Sequence, residues 1–264
     1  MFRFHDSGIH AAIAVTAVAM CLTTGGAVAQ TAPALDRGEI GGAWIRQDFS
    51  RISGNQTGGT INPSMPRDAS GNPVPLQPWA LQVFEQRYKG SVAGKPFAST
   101  KSRCLPAGMP KSMDPPASLA LQILVTPGQV TVLFEEFNDF RIIHMGGEHP
   151  KDLEPRYFGN SIAHWEDKTL VVDTVGFTTD TTIDSLGTPH SDAMHIVERI
   201  RRIGPDRLED EMTITDPKAY TKPWIMKSTF RKLETGLDEF FCDNDRNLPD
   251  ENGITGVALP NAKP

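Results

Sequence analysis

From residue 119 onward, short apolar runs alternate with polar positions and are cut by turn residues, the period-two pattern of half-buried strands. Residues 119–126 and 129–137 flank Pro127-Gly128 and read as a β-hairpin, with Gly128 expected to supply the positive φ of a tight turn. Asn138-Asp139 then turns the chain into a strand at 140–145. Further strands are predicted at 161–166, 169–175, 194–203, 208–215 and 225–233, with a last one near 237–242. The connections Glu166-Asp167-Lys168 and Gly204-Pro205-Asp206 are again hairpin-sized. A meander of about eight antiparallel strands leaves two exposed edges, and closure removes both. The pattern therefore predicts an all-β fold, an antiparallel up-and-down barrel of calycin-like architecture with room for one small ligand. No internal repeat stands out, which disfavours propellers and solenoids.

Ahead of the strands the texture differs. Residues 30–116 are rich in Pro, Gly, Ser and polar side chains, as in Ser53-Gly54-Asn55-Gln56-Thr57-Gly58-Gly59, and read as a loop-rich wrap. The exception is 78–90, where Trp79, Leu81, Val83, Phe84 and Tyr88 fit a short amphipathic helix that covers one end of the barrel. Arg3, an apolar stretch from Ile9 to Leu22 and Ala27-Val28-Ala29 before Gln30 form a secretory signal. The expected organisation is a signal peptide at 1–29, a wrap at 30–118 belonging to the same domain, and a barrel core with a C-terminal tail at 119–264. The signal's apolar run is interrupted by Thr16 and is shorter than the roughly 20 apolar residues of a membrane span. No later segment is long enough either, so the expected location is periplasmic or secreted, with no membrane span once the signal is removed.

Cleavage after Ala29 leaves Cys104 and Cys242. An exported chain with two cysteines can form one disulfide, the alternative being two buried thiols. A lipid anchor on Cys21 is disfavoured because Met20 stands where a small residue is normally needed.

The composition, 39% hydrophobic and 22% charged, is that of an ordinary folded domain. With 26 Lys and Arg against 32 Asp and Glu the net charge is -6, which argues against a broad nucleic-acid surface. A small-molecule ligand or substrate is the expected partner; the assembly state stays open.

With His5 and His10 removed in the signal, the five remaining histidines, His144, His149, His164, His190 and His195, all fall between residues 144 and 195. Such a concentration of imidazoles points to acid–base work or metal binding. His144 and His149, like His190 and His195, are five residues apart, on opposite faces of a strand. There is no H-E-x-x-H and no zinc-ribbon cysteine set, so neither a metal nor a cofactor is called for, although a loop-built site from His149, His190 and a carboxylate stays open. His149-Pro150 and Pro189-His190-Ser191 lie in loops near strand ends, where ligand contacts concentrate, whereas His164 reads as structural. Strand parity places Glu198 on the apolar face of Met194, Ile196 and Ile200, and Asp173 between Val171 and Val175. If both faces line the barrel, a buried carboxylate there needs a partner such as Arg141.

Several segments together resemble a group of uncharacterised secreted bacterial proteins. They are Cys104-Leu105-Pro106-Ala107-Gly108-Met109-Pro110, Gly147-Glu148-His149-Pro150, Gly159-Asn160-Ser161-Ile162-Ala163-His164-Trp165-Glu166, Thr169-Leu170-Val171-Val172-Asp173-Thr174, Pro189-His190-Ser191-Asp192, His195-Ile196-Val197-Glu198-Arg199 and Asp216-Pro217-Lys218-Ala219-Tyr220-Thr221-Lys222-Pro223-Trp224. The group commonly reads W-E-G-D-T-L where this chain has Trp165-Glu166-Asp167-Lys168-Thr169-Leu170. The resemblance implies a shared secreted β-rich fold and supplies no reaction.

No G-x-S-x-G elbow, dinucleotide fingerprint or Walker sequence is present, so nucleophilic, nicotinamide and nucleotide chemistry fall away. The leading expectation is an exported enzyme of lyase or isomerase type, with a pocket at one barrel mouth. There His149, His190 and His195 with Asp173 and Glu198 move protons, Arg141 stabilises negative charge, and Trp165, Trp224 and Tyr220 contact the ligand. The alternatives are a non-catalytic, lipocalin-like binder of a small apolar ligand, and a metal-dependent hydrolase.

Overall fold

The computed structural model describes residues 40–47, 65–115 and 119–242. The expected signal peptide, much of the wrap and the tail beyond Cys242 lie outside them. The described chain closes into a barrel of nine strands in sequence order. These are β1 (Gly42–Arg46), β2 (Ala120–Thr126), β3 (Gln129–Phe134), β4 (Asp139–Met145), β5 (Asn160–Glu166), β6 (Thr169–Val175), β7 (His195–Gly204), β8 (Arg207–Thr215) and β9 (Trp224–Leu233). The all-β, calycin-like barrel read from the sequence is therefore present.

The strictly antiparallel order needs one correction: β4 and β5 run parallel, with Ile143 opposite Ser161, whereas every other neighbouring pair is antiparallel. The reason is parity. Alternating nine strands strictly would make the closing pair parallel, and one parallel step lets β1 and β9 close antiparallel, Trp44 opposite Lys232. A parallel pair cannot be joined by a hairpin, and residues 146–159 form the crossover.

A second correction concerns the strand that closes the barrel. Residues 237–242 form no strand, and β1, inside the segment read as wrap, takes the place beside β9. The 237–242 stretch is held by other means: the Asn138 Nδ2 amide donates to the Phe240 carbonyl at 2.7 Å, the Phe137 and Phe240 rings meet edge-on at 5.2 Å, and Cys242 is bridged to Cys104. The expected disulfide is thus formed, closing a sequence separation of 138 residues.

Alternation sorts the strands' side chains. Trp44, Leu121, Ile123, Val130, Val132, Ile143, Leu170, Val172, Ile196, Ile200, Leu208, Met212, Ile214, Met226 and Phe230 are buried in one core cluster, so the barrel axis is packed with side chains and is not an open cup. The predicted helix forms as α1 (Pro78–Val92), with a proline in its first turn, where a missing N–H costs nothing. It buries Ala80 and Phe84, and the Trp79 indole N–H donates to the Lys218 carbonyl at 2.6 Å. That bond, with the Gln77 N–H to the Ala219 carbonyl at 2.7 Å, docks α1 on the β8–β9 connection. The β5–β6 turn places Asp167 at φ 52°, a left-handed conformation that glycine adopts at less cost. Gly128 lies outside the positive-φ set, so the β2–β3 turn does without the conformation expected of it.

Candidate functional site

The buried chemistry is organised around Arg141. It alternates with Ile143 along β4 and points inward, and it is 1% exposed beside Glu198 at 0%. Its guanidinium grips Glu198 through two N–H donors at 2.8 and 2.5 Å. It also donates to the Ser161 hydroxyl at 3.2 and 3.1 Å and to the Thr174 hydroxyl at 2.8 Å. A desolvated ion pair survives only when its remaining hydrogen-bonding capacity is met, and Ser161 and Thr174, from β5 and β6, meet it. The expectation that Glu198 is buried and paired with Arg141 is therefore what the barrel contains.

A second inward carboxyl, Asp210 on β8, is 0% exposed, and neither of its oxygens has a hydrogen-bond partner among the described residues. Burial, reinforced by the charge of Glu198 and opposed by that of Arg141, pushes it well above the usual carboxylate range. Of the two buried acids, Glu198 takes the Arg141 guanidinium, and Asp210 is the one that burial drives toward its neutral form.

Beside this cluster the barrel wall opens. β4 and β5 pair only through Ile143, His144 and Met145 against Ser161, Ile162 and Ala163, so ahead of Ile143 and Ser161 the two strands part. A cavity of about 250 Å³ lies in the gap, lined by Pro106, Phe140, Ile142, His144, Arg156, Tyr157, Phe158, Gly159 and Asn160, with Arg141 and Ser161 contributing from inside the barrel. Phe140 and Ile142 are 59% and 39% exposed, an apolar lip on the outer face of β4. Phe158 is rooted by stacking on buried Phe134 at 5.4 Å. Gly159 has φ +65°, and a Cβ there would sit 2.7 Å from the Val175 carbonyl oxygen, so only glycine lets the crossover lie this close to β6. At the start of β4, burial and the neighbouring Glu136 raise the Asp139 carboxyl to about 6.

Asp173 lies elsewhere. Its strand neighbours Val172 and Thr174 point inward, so its carboxylate stands on the outer face. The His149 and His195 Nε2 atoms approach its two oxygens at 2.8 and 2.9 Å, and the His149 Nδ1 meets the Asn160 side-chain oxygen at 2.8 Å. Partial burial pushes Asp173 up, but the hydrogen bonds and charges of His149 and His195 outweigh it and hold the carboxyl below its ordinary value. A cleft of about 360 Å³ adjoins, lined by Gly146, Gly147, His149, Ile162, Ala163, His164 and Asp173. Because His149 belongs to the crossover, its bond to Asp173 pins onto β6 the loop that carries Arg156, Tyr157 and Phe158.

His190 is separate again. The buried ring donates from Nδ1 to the Ser191 carbonyl at 3.0 Å, and its Nε2 accepts from the Thr181 hydroxyl at 2.7 Å. Burial lowers its pKa, which matches this neutral tautomer. Around it Asp216 accepts from the Ser191 N–H and hydroxyl, both at 2.6 Å, and the Tyr220 hydroxyl donates to the Pro189 carbonyl at 2.8 Å. These bonds tie the Pro189-His190-Ser191 and Asp216 to Tyr220 segments into one structural corner. Trp224 packs edge-on against Tyr220 at 5.5 Å, and Trp165 packs against the core; none of the three aromatics lines either cavity.

The single mouth pocket expected from the sequence is thus three places: Arg141 and Glu198 inside the barrel, His149, Asp173 and His195 outside it, and His190 with Tyr220 and Trp224 in a packed corner. Glu198 orients no imidazole, and Arg141 faces away from Asp173, because adjacent positions of a strand face opposite sides of the wall. Among the described residues no group of three or more His, Cys, Asp or Glu is placed to hold a metal ion. The sequence reading missed Arg156, Tyr157 and Phe158, which carry no periodic signal because they sit in a crossover. It also missed Ser161, Thr174 and Asp210, which strand parity places inward.

No family model matches the chain, and no curated protein matches it. One solved structure with some similarity is that of a mutant of the fluorescent protein UnaG, at 14% identity and a TM-score of 0.28, covering 51% of this chain and 88% of that one. A likeness that slight carries no argument, and the barrel assignment stands on strand order and register. No helix among the described residues is long and apolar enough to cross a membrane.

Proposed function

We propose that the protein is a non-catalytic binder of a small apolar molecule, held in the cavity where β4 and β5 part. The observation that carries this reading is the cavity's construction. An exposed lip of Phe140 and Ile142 and the anchored ring of Phe158 surround Arg141 and Ser161, which are fixed in place by their bonds to Glu198 and Thr174. Apolar lining with a few fixed polar groups is what small-ligand sites share. The packed barrel axis leaves the wall as the place for the ligand. N-phenyl-1-naphthylamine, a neutral probe that fluoresces in apolar surroundings, should bind with one-to-one stoichiometry. Phe140→Ser and Ile142→Ser, both at exposed positions, should each weaken it about five- to tenfold, the loss of roughly 1–1.5 kcal/mol of apolar contact. Binding that ignores both substitutions would refute the assignment.

A second reading rests on a different observation, the Asp173 carboxylate held between two imidazoles beside a cleft. With Nε2 donating to Asp173, the His195 ring is oriented and its Nδ1 is available as a proton acceptor, the arrangement of an acid–base centre. This reading requires a substrate whose turnover falls by roughly 10²–10⁴ in His195→Ala. Undiminished turnover in that variant would end it.

A further inference from the structure

We propose that the molecule taken by the β4–β5 cavity is an amphipathic anion, a small apolar body bearing one carboxylate or sulfonate, and that Arg156 receives its charge. This rests on the binding reading above and specifies the ligand's chemistry. The ionisable side chains that line the cavity are Arg141, His144, Arg156 and Tyr157, and no Asp or Glu is among the lining residues. In a chain with 32 acidic against 26 basic side chains, a lining with cations and no carboxylate runs against the average surface. The two arginines differ in what they can still do. Arg141 is neutralised by Glu198 and spends further donors on Ser161 and Thr174. The Arg156 guanidinium has no ion pair or side-chain hydrogen bond among the described residues.

The backbone of Arg156 is fixed although its side chain is exposed. Its N–H donates to the Gly176 carbonyl at 3.0 Å, and its own carbonyl accepts from Thr178 at 3.0 Å and from Gly159 at 3.3 Å. An isolated bridge to Phe177 adds to this anchoring. A guanidinium on an anchored backbone at a cavity rim is a preorganised fork for a planar or tetrahedral anion. Phe140, Ile142 and Phe158 stand ready for an apolar body. At about 250 Å³ the space suits one fused ring system or a short chain, not a long acyl tail. Carboxylates and sulfonates share this recognition chemistry, so the probe need only carry the charge.

The test compares two probes with the same anilinonaphthalene body, 1-anilinonaphthalene-8-sulfonate and the uncharged N-phenyl-1-naphthylamine, on the wild-type protein, Arg156→Gln and Ile142→Ser. The expected result is tighter binding of the sulfonate by about tenfold or more, and loss of most of that preference in Arg156→Gln, about 10- to 100-fold for a charge-assisted bond. The neutral probe should change by less than twofold in Arg156→Gln, and both probes should weaken together in Ile142→Ser. Arg156 is exposed, and an unchanged far-ultraviolet circular dichroism spectrum shows that the variant is folded. Equal affinity for the two probes, or a sulfonate affinity untouched by Arg156→Gln, overturns the anion assignment while leaving the cavity a binding site. Failure of both probes to bind overturns the binding reading itself.

Discussion

Asp210→Asn should make the protein more stable at neutral pH. The carboxyl is fully buried, unpartnered among the described residues and next to the Arg141–Glu198 pair. In the unfolded chain it ionises near 3.8, so each pH unit above that through which the fold keeps the proton costs about 1.4 kcal/mol. Asparagine keeps the shape and removes the requirement for a proton. Its own unsatisfied amide returns about 1–3 kcal/mol of the gain, leaving a net stabilisation that grows with pH. The sign of the pH dependence follows from the raised carboxyl. Between the unfolded and folded pKa values the folded state holds a proton that the unfolded chain has released, so wild-type stability falls as pH rises. Urea unfolding of both proteins at pH 5, 6, 7 and 8 should therefore show a gap that widens with pH in favour of the variant. A variant less stable at pH 7, with a gap that does not change with pH, would mean that Asp210 is ionised and paired, and the description of the barrel interior would be wrong.

Three further outcomes follow from the geometry. Replacing Cys104 and Cys242 by Ser frees a separation of 138 residues, and calorimetry should show a marked fall in Tm, with about 4–5 kcal/mol as the chain-entropy ceiling; an unchanged Tm would contradict it. Asp167→Gly relieves a left-handed φ of 52° and should stabilise by up to about 1 kcal/mol, whereas a destabilised variant on denaturant titration would show that the aspartate side chain has a role in the turn. His149→Ala cuts the bond that pins the crossover to Asp173 and should cost about 1 kcal/mol. Asp173 ionises below its ordinary range, so its contribution is present at neutral pH and lost as pH falls through the lowered folded value; unfolding curves for His149→Ala should show less of that acid loss than wild type, and equal loss would separate His149 from the pKa of Asp173.

Alternation made most of the barrel legible: the strand read at 169–175 is β6 to the residue, and the parity that put Glu198 inside is correct. The same device failed for Asp173 because Leu170, Val171 and Val172 are all buried. When both faces of a strand are apolar, period two does not say which one looks inward. β1 was missed because it is a five-residue strand in a segment dominated by glycine and proline, and only its long-range pairing with β2 and β9 makes it a strand. The direction of β5 is likewise not encoded in its own residues; it follows from closing nine strands. Clustering of histidines in sequence was real, but His149, His190 and His195 are carried by a crossover, a loop and a strand start, and proximity along the chain did not translate into one centre. Arg156 became a candidate only when the parting of β4 and β5 placed it at a cavity rim.

The central claim is that the protein's ligand site lies in the wall between β4 and β5. Backbone amide chemical shifts measured by two-dimensional NMR during titration with 1-anilinonaphthalene-8-sulfonate test it most directly. Saturable shifts centred on Phe140, Arg141, Ile142 and residues 156–161 are the predicted result. Shifts centred instead on Gly146, Gly147 and Asp173, or on the packed corner of His190, Tyr220 and Trp224, would contradict it.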